Sequence, residues 1–406
     1  MGVFLCTNNN ILTSKHMKAN KVLFTLLSIG LLSSCSRQIT GPLVKINNPI
    51  DIQRSLETVE LSKSFLNIKN LDAYGVKDIK TNKIIVSQLV DNDNNGSMDA
   101  ILFQANVPAK ASSTYQVVKL NKEDQPEAKL VCYSRFVPER TDDYAWENDK
   151  VAFRIFGPNA QYRKENKLKQ GTLSSGVDAW LKRVDYPIIN SWYARNTKKR
   201  GAYHHDIGEG LDNFHVGVSR GVGGIAHKKD STYYLSKNFT KWKTITTGPI
   251  RTSFYVEYAN WGPEGQIKES RIISLDKGSN LTKYDINIEG VNTVSAGLTL
   301  HEKDGVVSSK ENQPWLNYWQ PHPDSELGTA IVTTTKHYAG QEKYDVEAKD
   351  LSNAYAHLKV INNKVVYYAG FAWSTSGQFK NKADWENYLS NFAKKIEHPL
   401  TIELTK

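Results

Sequence analysis

The segment Arg200–Gly224 concentrates the side chains of this sequence that are best suited to acid–base chemistry. Three of the ten histidines lie within twelve residues, and three acids and seven glycines accompany them. Glycine lets a backbone approach a ligand closely and adopt positive φ. A solvated loop is the simplest alternative, but Tyr203, Leu211, Phe214 and Val216 predict a segment that packs against the protein.

Two chemistries suit this segment, and residue spacing does not choose between them. In the first, His204, Asp206 and Glu209 bind Zn²⁺ or Mn²⁺, because a His-x-Asp pair points to one side of an extended chain. In the second, His204 or His205 is a general base and Tyr203 a general acid, while Asp206 and Glu209 orient the imidazoles. The cofactor is left open, with a divalent metal as the candidate.

Five further residues are candidates for substrate binding. Arg154, on a predicted strand, and Arg220 offer planar guanidinium groups that suit a carboxylate or sulfate, although Arg154 could equally pair with a buried acid. His215 belongs to the histidine-rich segment. Trp319 and His322 are interpreted as loop side chains that stack on a sugar ring, with ordinary packing as the alternative.

The segment Asp91–Asp99 resembles the start of a calcium-binding loop. It has oxygen ligands at positions 1, 3, 5 and 9, and Gly96 at position 6. Position 12 is Leu102, where a bidentate Glu is expected, and the flanking segments are predicted strands. The sequence therefore predicts either a calcium loop or a tight Asn-Gly hairpin.

The N-terminus has the order of a bacterial lipoprotein signal. Two lysines precede the apolar run Val22–Leu31, and small residues lead to Cys35. This order predicts a signal peptide over residues 1–34 and a lipid on Cys35 that anchors the protein to the outer membrane, on its cell-surface or periplasmic face. A cleaved signal without lipid is the alternative, and Met17 is an alternative start.

Composition and charge restrict the class of protein and the kinds of binding partner. With 39% apolar and 23% charged residues, the chain is neither a polytopic membrane protein nor largely disordered. The net charge is +10, and removing residues 1–34 leaves 49 basic against 42 acidic side chains, or +7. Such a surface attracts polyanions, and without a nucleic-acid-binding motif we expect an acidic glycan rather than nucleic acid. Cys132 alone would remain, which excludes a disulfide framework.

Alternating apolar residues predict strands along most of the chain, most clearly over Ile250–Tyr258 and Thr282–Ile288. Helical spacing predicts a helix over Lys382–Ile396 and a weaker one over Val177–Arg183. We therefore predict an all-β protein, a large antiparallel β-sandwich with few helices. A tether over residues 35–49 would precede one catalytic domain, residues 50–406. Further strands are predicted over Ile84–Leu89, Ala100–Gln104, Ser113–Leu120, Lys129–Phe136, Val151–Phe156, Lys268–Leu275, Gly328–Thr335, Tyr355–Val360, Val365–Ala372 and Leu400–Leu404.

Several motifs together resemble a family of Bacteroidetes surface or periplasmic proteins found among polysaccharide-degrading enzymes and described as a domain of unknown function. They are Trp146–Asp149 with Ala152–Arg154, Asp178–Trp180, Tyr203–Gly224 and Tyr318-Trp319. The resemblance covers the chain from about residue 50 onward. It implies a galactose-mutarotase-like β-supersandwich. One group that the whole chain resembles is the ulvan oligosaccharide dehydratases.

That resemblance implies loss of water from a saturated uronic acid at the non-reducing end of an acidic, sulfated oligosaccharide, giving a 4,5-unsaturated uronate. Such a β-elimination needs a base for the C5 proton, an acid for the 4-hydroxyl and a cation on the carboxylate. A polysaccharide lyase is the nearest alternative. A glycoside hydrolase using Glu209 with Asp206 or Asp212, and a surface glycan-binding lipoprotein without activity, also stay open.

Overall fold

A computed structural model describes residues 41–405. Within this range it contains twenty-six strands and four α-helices. The predicted signal peptide and Cys35 lie outside the described residues. Of the predicted tether, residues 43–47 instead form the first strand, so the tether prediction extends too far toward the domain.

The chain alternates strands with short turns almost throughout, as the alternating patterns predict. The strands are β1 (Leu43–Asn47), β2 (Arg54–Ser62), β3 (Tyr74–Asp78), β4 (Lys83–Ile85), β5 (Ser87–Val90), β6 (Ala100–Val107), β7 (Ser112–Lys119), β8 (Tyr133–Val137), β9 (Asp143–Glu147), β10 (Ala152–Ile155), β11 (Asp178–Lys182), β12 (Gly210–Leu211), β13 (Val222–Lys229), β14 (Thr232–Tyr234), β15 (Phe239–Thr246), β16 (Arg251–Tyr258), β17 (Lys268–Asp276), β18 (Leu281–Glu289), β19 (Thr293–Thr299), β20 (Val306–Lys310), β21 (Gln313–His322), β22 (Ser325–Thr333), β23 (Tyr338–Tyr344), β24 (Asn353–Lys359), β25 (Lys364–Trp373) and β26 (Thr401–Thr405). The helices are α1 (Lys63–Leu66), α2 (Pro158–Glu165), α3 (Ile189–Lys198) and α4 (Lys382–Glu397).

The strands form five antiparallel sheets. The largest has eight strands in the order β15-β16-β17-β18-β25-β22-β21-β20. Three sheets have five strands, in the orders β14-β13-β19-β24-β23, β12-β11-β10-β9-β8 and β26-β1-β7-β3-β4. The order β2-β6-β5 makes the smallest. These layers confirm the predicted all-β sandwich with few helices.

The main core lies between the eight-stranded sheet and the sheets that contain β10 and β19. Phe254 and Ile286 from the large sheet share this core with Phe153 and Leu298. Alternate residues of a strand face opposite sides, so each of these strands contributes every second side chain to the core. A separate core near the N-terminus joins β1 and β7 to β2 and β6. The arginine and two of the carboxylates described below, Arg154, Asp143 and Asp178, lie on the sheet that contains β9, β10 and β11.

The helices cover the outer faces of the sheets. The predicted helix over Lys382–Ile396 is confirmed as α4, which begins after Asn381, whose side chain accepts a hydrogen bond from the Asp384 N–H. It packs Trp385 and Leu389 against β21 and β22. None of the helices in residues 41–405 combines the length and the apolar character that crossing a membrane requires.

The predicted helix over Val177–Arg183 is wrong, because this segment contains the buried strand β11. Ala179 and Leu181 face the main core. Trp180 points to the other side, where it packs on Trp192 and Tyr193 of α3. A strand that is buried on both faces lacks the polar alternation that would have distinguished it from a helix.

Candidate active site

A cavity of about 400 Å³ opens beside β10 and β11, and we call it the His204 cavity. The loop that follows β12 forms one side of it. Its lining consists of Arg140, Arg154, Phe156, Thr172, Asp178, His204, Asp212, Asn213, Phe214, His215, Val216 and Gly217. The cavity therefore brings together four residues that the sequence analysis named as candidates: Arg154, His204, Asp212 and His215.

Strand pairing builds the most buried wall of the cavity. Arg154 of β10 lies directly opposite Asp178 of β11 in the antiparallel register. The Arg154 Nε donates to Asp178 Oδ2 at 2.5 Å, and Nη2 donates to Asp212 Oδ2 at 2.9 Å. Asp143 Oδ2 is 3.7 Å from Arg154 Nη1. We call Arg154, Arg140 and these three carboxylates the Arg154 cluster.

The Arg154 cluster holds more acid than base. With every group ionised, three carboxylates would face two guanidinium groups in a buried place, which is costly. Burial raises the pKa of Asp143 to about 6, against the opposing charges of Arg154 and Arg140. Burial also raises the pKa of Asp178 well above its ordinary value, although Arg154 opposes this. Burial therefore favours the protonated form of Asp178 in this cluster.

Asp178 is the member best placed to give that proton to a ligand. It forms part of the cavity wall. Its Oδ2 is bound to Arg154, whereas Oδ1 has no hydrogen-bond partner among the described residues. Burial raises the pKa of Asp212 as well, but Arg154 and His204 both counteract it. Asp178 thus has the character of a general acid.

His204 has the opposite character. It ends a short 3₁₀ helix, Ala202–His204, and its side chain is 51% exposed in the cavity. Its Nδ1 donates to the backbone carbonyl of Asp212. This bond selects the tautomer with the proton on Nδ1 and leaves Nε2 as an acceptor. His204 is therefore arranged as a general base.

Tyr203 is buried beside both groups. Its ring packs on Trp180, and its hydroxyl oxygen accepts hydrogen bonds from Arg154 Nη1 at 3.3 Å and Arg140 Nε at 3.4 Å. It lines a neighbouring cavity of about 230 Å³ together with Arg140 and His204. Asp178 lines the His204 cavity and Tyr203 does not, so Asp178 is the better candidate for the acid that the sequence assigned to Tyr203.

Besides Tyr203, three predicted catalytic residues do not line the His204 cavity. His205 is exposed and is not among the lining residues. Asp206 accepts the Gly208 and Gly210 N–H groups and pairs with Arg183 at 2.9 Å. Glu209 accepts from Trp192 Nε1 at 3.0 Å and pairs with Arg195 at 3.1 Å, against α3.

The two acids thus hold the glycine-rich loop in place and do not orient His204, because their oxygens are taken up by other donors. His204, Asp206 and Glu209 do not form one of the groups in residues 41–405 that could hold a metal ion. The predicted metal set is therefore not brought together by the fold.

Arg220 and Trp319 also have structural partners in place of a ligand. Arg220 is buried and donates to Ser175 Oγ at 2.9 Å and to the carbonyls of Ile225 and Val218. Burial lowers its pKa to about 10. Trp319 lies on β21 rather than on a loop, is 6% exposed, and donates to Glu326 at 3.0 Å.

His322 ends the same strand and reaches the cavity wall indirectly. Its Nε2 lies 2.9 Å from Oδ1 of Asn213, which lines the His204 cavity. Burial lowers the pKa of His322, which favours the neutral ring. His322 therefore positions a cavity residue.

Two groups of side chains in residues 41–405 have the spacing of metal ligands: His215, His301 and Asp350, and Asp91, Asp93 and Asp99. The second group belongs to the predicted calcium loop, which joins β5 to β6. There Lys63 lies 2.8 Å from Asp99, and the carboxylates accept backbone N–H groups of their own loop. Protein donors therefore already satisfy much of this loop.

Sequence reasoning missed five residues of the site as candidates for chemistry: Arg140, Asp178, Asn213, His301 and Asp350. Asp178 belongs to the motif Asp178–Trp180, which supported the family resemblance and could have marked it as a candidate. Asn213 lies inside the histidine-rich segment. Arg140, His301 and Asp350 are scattered along the chain, and only the packing of distant loops brings them to the cavity.

Comparisons with known proteins identify the family. Residues 46–402 match the family described as "Domain of unknown function (DUF4861)". "Uncharacterized protein P7" of Formosa agariphila is 48% identical over 394 residues, which cover 96% of this chain and 100% of that protein.

Two solved structures from Enterococcus faecalis are also similar, a protein in glycosyl hydrolase family 38 and an alpha-mannosidase. Their TM-scores are 0.45 and 0.43 at 11% and 10% identity. Each similarity covers 90% of this chain, which spans about half of the two proteins (47% and 46%). The match over residues 46–402 and the 48% identity together show that the chain belongs to the DUF4861 family.

Proposed function

We propose that this protein is a carbohydrate-active dehydratase, a hydro-lyase that removes water from the saturated non-reducing-end uronic acid of ulvan-type oligosaccharides. The observation that carries the proposal is one cavity lined by an imidazole whose Nε2 is left as an acceptor, His204, and by a carboxyl whose pKa is raised by burial, Asp178. A proton acceptor and a proton donor that line one cavity are typical of acid–base enzymes. The choice of substrate rests on the motif resemblance described above.

The proposed reaction is a β-elimination. Nε2 of His204 takes the proton from C5, the electron pair of that bond forms the C4–C5 double bond, and the C4–O bond breaks. Asp178 protonates the departing hydroxyl, which leaves as water. Solvent exchange returns His204 and Asp178 to their starting states, so the net change is loss of one water molecule and formation of a 4,5-unsaturated uronate.

The uronate carboxylate must be neutralised for C5 to lose a proton. Arg154 is poorly suited to this task, since its nitrogens already serve Asp178, Asp212 and the Tyr203 hydroxyl. Arg140 is the better candidate: Nη1 donates to Thr141 Oγ1 at 2.8 Å and Nε to Tyr203, which leaves Nη2 for a ligand. The charge of +7 on residues 35–406 favours an acidic, sulfated glycan as the partner.

The test compares two adjacent histidines. Purified wild type, His204→Gln and His205→Gln are incubated with ulvan oligosaccharides that end in a saturated uronic acid, and the products are analysed by mass spectrometry and ultraviolet absorbance. We expect wild type and His205→Gln to yield a product of unchanged chain length, lighter by one water and absorbing as an enol ether. His204→Gln should lose at least about 100-fold in kcat/KM.

Other outcomes contradict the dehydratase. Shorter unsaturated chains would indicate a polysaccharide lyase, and new reducing ends without absorbance a glycoside hydrolase. A surface glycan-binding lipoprotein would give no turnover and equal glycan affinity in wild type and His204→Gln. Equal rates for the two histidine variants would reject His204 as the base.

We also propose the location that the N-terminal pattern predicts, an outer-membrane lipoprotein anchored through Cys35. Expression of wild type and Cys35→Ala in a lipoprotein-processing host, followed by membrane fractionation, tests this. The wild type should stay with the membrane and carry fatty acid. Equal distribution of both proteins would contradict the anchor.

A further inference from the structure

His215, His301 and Asp350 come from three separate segments and meet at the edge of the His204 cavity. His215 lies in the loop after β12 and lines the cavity, His301 follows β19, and Asp350 lies in a short 3₁₀ helix, Lys349–Leu351. His215 Nε2 is 3.4 Å from Asp350 Oδ2, and His301 Nδ1 is 3.1 Å from Asp350 Oδ1. The two imidazole rings are 4.6 Å apart between centroids.

These separations suit ligands of one small cation. Bonds of about 2.0–2.2 Å to a tetrahedral centre place neighbouring ligand atoms about 3.3–3.6 Å apart. The three ligand atoms that the residues offer all lie within 4.8 Å of one another. Two imidazoles with one carboxylate form the ligand set of many catalytic zinc sites.

His301 provides an independent sign of a ligand. Its side chain is 8% exposed. Within residues 41–405 its Nε2 has no hydrogen-bond partner, and its Nδ1 faces Asp350 Oδ1 at 3.1 Å without the alignment of a hydrogen bond. A buried polar atom without a partner costs about 1–3 kcal/mol, so native proteins seldom keep one without a reason.

The backbone at Gly217 packs closely against the group. Gly217 has φ of +53°, and a Cβ at this position would lie 1.9 Å from Asp350 Oδ2 and 3.0 Å from His215 Nε2. Any larger residue would displace the carboxylate. The ammonium group of Lys349, which precedes Asp350 in the sequence, is paired with Glu302 at 2.5 Å.

We propose that His215, His301 and Asp350 bind one divalent transition-metal ion, Zn²⁺ by the chemistry of the ligands. His301 lies on the buried side, while the His215 side chain is 68% exposed, so the outer coordination positions face the cavity. A zinc ion with three protein ligands keeps a position for water or another oxygen ligand. Resting on the proposed function, we further propose that this position takes the carboxylate or sulfate of the acidic sugar.

The first experiment measures metal alone. Untagged protein is treated with chelator, dialysed and titrated with ZnCl₂ by calorimetry, and bound zinc is counted by elemental mass spectrometry. We expect one zinc per chain. Asp350→Asn and His215→Gln, both at accessible positions, should each weaken zinc binding at least about 100-fold. The controls His205→Gln and Asp91→Asn should bind like wild type.

The outcomes separate the metal site from the reaction. No zinc binding, or unchanged binding in both Asp350→Asn and His215→Gln, would overturn the site. Glucuronate is then titrated into zinc-loaded and chelated protein, and at least about tenfold tighter binding with zinc is expected. Equal affinity would overturn the substrate role but not the site. Zinc binding without any dehydration would reject the proposed function and leave the metal site standing.

Discussion

The Arg154 cluster and the group of His215, His301 and Asp350 line or border the same cavity, but they satisfy their charges in different ways. In the cluster, Arg154 lies within 2.5 to 3.7 Å of three carboxylates, all of them buried. In the histidine group, one carboxylate that is 35% exposed faces two imidazoles, and the buried ring has no hydrogen-bond partner in the described part of the chain.

This difference separates two kinds of functional site. The cluster pairs its arginine with carboxylates of the protein itself, so its ion pairs fix the cavity wall, although Oδ1 of Asp143 and of Asp178 has no partner among the described residues. The histidine group has a buried ring without a hydrogen-bond partner among the described residues. Binding of a ligand at this group should therefore raise the free energy of unfolding. Without a ligand, a substitution that removes a charge should therefore change stability or activity more in the Arg154 cluster than in the histidine group. The following variants measure this difference.

The largest effect is expected for Arg154→Met. The change removes the cation and leaves three carboxylates in a buried place, which should lower the free energy of unfolding by about 3–5 kcal/mol. Urea unfolding measures it. Arg163→Met, which loses one exposed hydrogen bond to the Lys169 carbonyl, should stay within about 0.5 kcal/mol of wild type. Equal losses would mean that the cluster does not organise the wall.

The variant Asp178→Asn tests Asp178 as the general acid. The amide preserves the shape of the side chain but cannot protonate a departing hydroxyl, so kcat on ulvan oligosaccharides should fall at least about 100-fold. The exposed Asp185→Asn serves as the matched control and should keep the wild-type rate. A fully active Asp178→Asn with a normal unfolding midpoint would remove Asp178 from the mechanism.

The variant Asp143→Asn tests the raised pKa of Asp143 through the pH dependence of the free energy of unfolding. The folded protein holds the Asp143 proton up to a pKa of about 6, whereas the unfolded chain releases it near 3.8. Between these values the folded state binds more protons, so the free energy of unfolding falls as pH rises. Between pH 4 and pH 7, the free energy of unfolding of the wild type should fall by about 1–3 kcal/mol more than that of Asp143→Asn, as measured by urea unfolding. Parallel pH profiles would contradict the raised pKa.

The smallest effect is expected for Asp350→Asn in chelated protein. Without metal, this partly exposed carboxylate contributes little, and the unfolding free energy should change by less than about 0.5 kcal/mol. With saturating zinc, wild type should gain stability over the variant, seen as a higher melting temperature. A large loss in chelator would mean that the histidine group is a structural ion-pair network.

The fold was predictable because most strands bury one face and expose the other. The alternation over Ile250–Tyr258 correctly predicted β16, and the apolar spacing over Lys382–Ile396 correctly predicted α4. The buried strand β11 was mistaken for a helix because both of its faces are covered. The helices α2 and α3 were missed, and α3 buries only Ile189, Trp192 and Tyr193 of its ten residues.

The candidate site was only half visible in the sequence. Local density of histidine and glycine singled out the segment that contains His204, Asp212 and His215, all of which line the cavity. The local density of histidine and glycine did not show which side chains point into the cavity. Asp206 and Glu209 instead hold the glycine-rich loop in place. Arg154 and Arg220 look equivalent as residue types, yet one faces carboxylates and the other mainly backbone carbonyls.

By itself the sequence determined the fold class, the charge of the chain and the segment where polar chemistry is concentrated, because periodicity, composition and local spacing are properties of the chain. Only the tertiary structure decided which polar groups share a cavity. Asp143, Asp178 and Asp212 meet around Arg154 through strand pairing and loop packing, and His301 meets Asp350 across fifty residues. Burial and pairing set the protonation states of such groups, and both depend on neighbours that are distant in the chain.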